Sequence, residues 1–147
     1  MPCQSDYMEP NAQERESKTT AQLLFMISKH DLIGEFMITD VKLAVSNASD
    51  SYYGDREYLE TFTQHLCKAC QKLAGGRKVF SPTVLADLIL KTSGDKNVFK
   101  LAEWWEKHLK ADRKREEAEA KQKESEAVRQ AALSKLTPEE ISVLGIK

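Results

Sequence analysis

Three cysteines and three histidines are the residues of this 147-residue chain best suited to chemistry. Cys67 and Cys70 form a CxxC, with His65 two residues ahead. A thiolate pair at this spacing can grip one zinc ion, and a closed structural zinc site needs four ligands. On a helix, residues i and i+3 share a face, so both thiols can reach a shared ion. Cys3 is the third ligand in this reading, and His65 or His108 the fourth. His65 lies on a different side of an ideal helix from Cys70, so His108 is at least as well placed. The expected set is Cys3, Cys67, Cys70 and His108, with zinc as the cofactor. The competing account is packing. Cys70 falls on an apolar stripe with Phe62, Leu66 and Leu73, where cysteine serves as a small buried residue. A redox role fits poorly, because a redox CxxC sits at a helix start, where the dipole lowers the thiol pKa. This one lies deep in a predicted helix.

A second constellation follows. Trp104 and Trp105 stand side by side, and Lys107, Lys110, Arg113, Lys114 and Arg115 come next. Such residues can follow phosphates and stack on bases. Acidic residues surround them, however: Glu103 and Glu106 before, Glu116, Glu117 and Glu119 after. Alternating sign is the mark of a solvated helix. With a formal net charge of −1, the chain lacks the basic excess of a general nucleic-acid binder. Adjacent tryptophans point about 100° apart on a helix, so one is expected to pack inward and the other at a rim. Trp104, Trp105, Lys110, Arg113 and Arg115 are therefore the expected protein-binding residues.

The elements that must position these groups read as helices. Residues 11–29 form one, apolar in its second half through Leu23, Leu24 and Ile27, with Phe25 or Met26 joining them. Only that half is expected to be buried. Residues 35–45 fit neither period cleanly. A helix is favoured and a short strand stays open, since the segment has no evident partner strand. Residues 47–54 read as a loop, and Asp55 as the cap of the next helix. In that helix Tyr58, Leu59, Phe62, Leu66, Ala69, Cys70 and Leu73 recur at helical steps, and Gly75-Gly76 ends it. Ser81-Pro82 starts another, with Val84, Leu85, Leu88 and Ile89 as its apolar face.

The next helix begins near Asp95 or Asn97, and no proline or glycine interrupts it before Pro138. Four Glu-to-Lys pairs at i,i+4, among them Glu103 with Lys107, support it. Thr137-Pro138-Glu139-Glu140 is a capping box for a last helix through Leu144. Leu136, Ile141, Leu144 and Ile146 could dock that helix on apolar surface. The expected fold is all-α: a small helical bundle with a long charged C-terminal helix and a short terminal helix. The expected organisation is an irregular segment over 1–9, a helical core over 10–109, a charged arm over 110–136 and a capped helix over 137–147.

Hydrophobic residues make up 41% and charged residues 31%, so part of the chain can bury a core and part cannot. The start lacks the basic and apolar segments of a secretory signal. The longest apolar run, residues 23–27, is far short of the roughly 20 residues that span a bilayer. An odd cysteine count fits a reducing compartment, so a cytoplasmic protein is expected. No phosphate-binding glycine loop, nucleophile elbow or HExxH is present, which favours a non-enzymatic role.

Three stretches carry a family likeness: Cys3-Gln4-Ser5-Asp6-Tyr7-Met8-Glu9-Pro10, Leu66-Cys67-Lys68-Ala69-Cys70, and Leu101-Ala102-Glu103-Trp104-Trp105-Glu106-Lys107-His108 running on to Arg115. Together, over about a third of the chain, they resemble a group of small uncharacterised proteins of tailed bacteriophages and prophages. The resemblance implies a host-cytoplasm setting and an accessory protein acting on a host or phage factor, and nothing about mechanism. The alternative from the residues is a zinc-stabilised domain that contacts nucleic acid or protein.

Overall fold

Six α-helices and no strand form among residues 10–145, the part of the chain that the computed structural model describes. They are α1 (Pro10–Lys29), α2 (Thr39–Asp50), α3 (Leu59–Ala74), α4 (Pro82–Lys91), α5 (Asn97–Ser134) and α6 (Pro138–Leu144). A single 3-10 turn, Arg56–Tyr58, precedes α3. The fold is thus all-α, with a long helix and a short one last. Among the described residues, no helix is long and apolar enough to cross a membrane. The expected irregular segment 1–9 and the docking residue Ile146 lie outside the described residues.

The chain divides into two compact units, Met1–Leu109 and Lys110–Lys147, with the boundary inside α5. In the first, α1 packs on α2 and α3. Leu23, Leu24, Met26 and Ile27 of α1, Val45 of α2, Phe62 and Leu66 of α3, Leu88 of α4, and Leu101 and Trp105 of α5 build one core. Met26 turns inward and Phe25 stays 43% exposed. The first half of α1 is not solvent-facing throughout, contrary to the sequence reading. Ser17, in that half, is fully buried. The cause is the segment before the 3-10 turn, which lies against α1. Gly54 N–H donates to the Glu14 carbonyl at 3.0 Å, and Ser17 Oγ donates to the Asp55 carbonyl at 2.7 Å. A Cβ at Gly54 would fall on the backbone of Ser17 and Lys18, so only glycine permits this approach.

Residues 35–38 are not helical, and α2 begins at Thr39. It runs through residues 47–50, which read as loop by composition. Val41, Val45 and Ala48 are its buried residues, one stripe at helical spacing, and that packing outweighs the weak helix propensity of Asn, Ser and Asp. Other ends follow the local chemistry. Asp55 accepts from Glu57 N–H, Ser81 accepts from Val84 N–H with Pro82 after it, and Gly75 closes α3 in the left-handed region at φ 76°.

In the second unit, residues 121–132 of α5 are all exposed. Thr137 and Glu140 form a reciprocal capping box that starts α6, and Gly145 at φ 70° ends it.

Candidate metal centre

α3 and α5 carry the site. α3 is held by its buried stripe, which includes Leu59, Phe62, Leu66 and Cys70. α5 is anchored by Val98, Leu101 and Trp105, each fully buried. These contacts bring Cys67 of α3 beside His108 of α5. Asp112 follows His108 by one turn of the same unbroken helix, so helix geometry alone puts it on the same face. Each of the three offers a ligand atom, and those atoms lie within 4.8 Å of one another. Around a tetrahedral zinc with bonds of about 2.0–2.3 Å, ligand atoms sit roughly 3.5 Å apart. Small side-chain rotations would bring the three atoms to that spacing. The buried Cys67, His108 and Asp112 group can therefore hold a metal ion.

Each ligand is oriented by a neighbour. The Gln71 amide Nε2 donates to Cys67 Sγ at 3.4 Å. The His108 ring stacks on Trp104, with centroids 4.7 Å apart, and on Trp105 at 6.0 Å. Its Nε2 is covered although the residue as a whole is only half-buried. Arg115 Nη2 donates to Asp112 Oδ1 at 2.5 Å. A carboxylate has two oxygens, so this ion pair and a metal bond are compatible, and support of this kind fixes ligand geometry in metal sites.

The tryptophan pair divides its work. Trp105 is 0% exposed and its indole N–H donates to the Lys78 carbonyl at 2.7 Å. It is a core residue, which removes it from the expected protein-binding surface. Trp104 is half-buried, and its N–H donates to Glu16 Oε1 at 3.2 Å. Lys110 and Arg113 are exposed, while Arg115 is engaged with Asp112.

Of the expected ligands, the structure joins Cys67 and His108. Cys70 stays out of the group and is buried in the core at 0% exposure. Burial first, and the neighbouring Cys67 second, push its thiol well above the usual 9.0, so it is a protonated packing residue. Cys3 lies outside the described residues. His65 is half-buried and lines a cavity elsewhere on α3. Asp112 is the member of the candidate group that the sequence reading does not name. Its signal was a carboxylate four residues after His108, masked by the charged run around it.

Comparison of the chain with protein-family models, with curated proteins and with solved structures finds no match. The resemblance to phage proteins therefore rests on the quoted residues alone. The function has to be argued from the site.

Proposed function

We propose that the protein is a small zinc-stabilised helical binding module. The observation that supports this is the convergence of a thiol, an imidazole and a carboxylate at Cys67, His108 and Asp112. These are the three ligand types that zinc takes from proteins. Cys67 is 1% exposed and Asp112 5%, which suits an ion that holds structure rather than one that meets a substrate. Zinc bound there ties α3 to α5, elements far apart in sequence, and so adds binding energy to folding energy. Three protein ligands leave a fourth position, filled by water or by Cys3.

A protein partner is part of this reading. Of the expected interface residues, Lys110 and Arg113 are exposed and Trp105 is buried. A phage accessory role on a host factor is the setting that the resemblance implies. Reversing Lys110 and Arg113 to glutamate should then reduce capture of the partner from host lysate.

Cobalt titration tests the centre. A thiolate-to-cobalt absorption band should appear in the unmodified protein and vanish in Cys67→Ser. In Cys3→Ser it should persist if water fills the fourth position and weaken if Cys3 does. A folded protein that gives no such band contradicts the proposal.

A further inference from the structure

On α3, a different face carries a cavity of about 340 Å³ lined by Phe36, His65, Lys68, Ala69, Gln71, Lys72 and Gly76. All lie within the first unit. The size falls in the range of small-molecule sites, which are mostly apolar with a few placed polar groups. Phe36 and Ala69 form apolar wall, and the stems of Lys68 and Lys72 add methylenes to it. Lys68 and Lys72 are at i,i+4 and His65 is three residues before Lys68, so all three share one helix face.

The charge here is one-sided. Among the described residues, no carboxylate lines the cavity. Among the described residues, neither lysine has an ion-pair partner. Gln71 directs its amide N–H to Cys67, which leaves the two lysines and His65 to meet a ligand.

We propose that this cavity binds a small amphipathic carboxylate, its apolar chain against Phe36 and Ala69 and its carboxylate between Lys68 and Lys72. The apolar wall alone would accept any hydrophobe, and the lysines alone would accept any anion. The juxtaposition selects a molecule with both parts. The competing account is that Lys72 only complements the C-terminal dipole of α3 and Lys68 is simply solvated.

The test is an NMR titration of the full chain with octanoate, read at the His65 ring. Acetate and octan-1-ol serve as the two halves of the ligand. Octanoate should shift the His65 signals saturably, while neither half saturates over the same range. Lys68→Gln with Lys72→Gln should weaken octanoate binding about tenfold, as expected for loss of charge-assisted contacts. Both lysines are exposed, so this variant should keep the unmodified thermal unfolding curve. Octanol binding as tightly as octanoate, octanoate affinity unchanged in the double variant, or no saturable shift with octanoate would each overturn the proposal.

Discussion

Cys67 and Cys70 stand three residues apart on α3 at 1% and 0% exposure, and their surroundings differ in kind. Cys67 faces His108 of α5 and accepts a hydrogen bond from Gln71. Cys70 shares the same core cluster but not that polar group, and burial keeps its thiol protonated. A helix advances about 100° per residue, so three steps leave two side chains roughly 60° apart. Both thiols belong to the buried core cluster, and that angle is enough to turn Cys67 alone toward His108 and Asp112. Burial alone does not distinguish a ligand from a packing residue; the groups brought by the neighbouring helix do.

The strongest way to break this contrast is to remove the support both thiols share. Trp105→Ala should destabilise the fold by about 3–5 kcal/mol, measured by urea unfolding. It also leaves the Lys78 carbonyl without its indole donor. Both thiols should then react with a thiol reagent that leaves the unmodified protein untouched. If only Cys67 became reactive, the two environments would not depend on a common core.

Cys70→Ala sharpens the contrast from the other side. It should lower stability by about 1 kcal/mol, the transfer free energy of a small buried group, and leave metal binding unchanged. Loss of metal in this variant would return Cys70 to the ligand set. The same thiol predicts an alkaline limb. Its folded pKa is raised, so its contribution is intact below 9.0 and is lost as pH climbs from there through the raised value. Cys70→Ala should flatten the part of that limb which Cys70 contributes, in unfolding curves taken at increasing pH.

A second polar pair shows what a metal-independent contact looks like. His30 Nε2 meets Asp95 Oδ2 at 3.2 Å, and Asp95 Oδ1 accepts from Asn97 N–H at 2.9 Å. The Asn97 N–H first, and then His30 and Lys29, hold the Asp95 carboxyl below its usual 3.8 despite some desolvation. Its contribution is present above that value and is lost as pH falls through the depressed one. Asp95→Ala should cost about 1 kcal/mol, as for a lost helix cap. Acid should erase that difference in thermal unfolding, and chelator should not. A chelator response from this pair would mean that the two clusters are not independent.

Much of the fold was legible in the residues. The apolar stripe of α3, the Ser81-Pro82 start, the Gly75 stop and the Thr137 capping box are local signals, and each acts within one or two turns. The failures came from tertiary contact. Ser17 is buried because Gly54 lets a distant segment lie on α1. Residues 47–50 are helical because Val45 and Ala48 pack inward. Two of the three residues of the candidate metal group, Cys67 and His108, were legible as residue types. Asp112 was not, because its role depends on how α3 meets α5, and spacing within one segment cannot report that.

The most direct measurement is zinc content, by elemental analysis, of protein purified without added metal. The unmodified chain and Cys70→Ala should each carry about one zinc, with a melting temperature that chelator lowers, and Cys67→Ala should carry none. An unmodified protein that is zinc-free and indifferent to chelator, or a Cys67→Ala variant that keeps its zinc, would contradict the account.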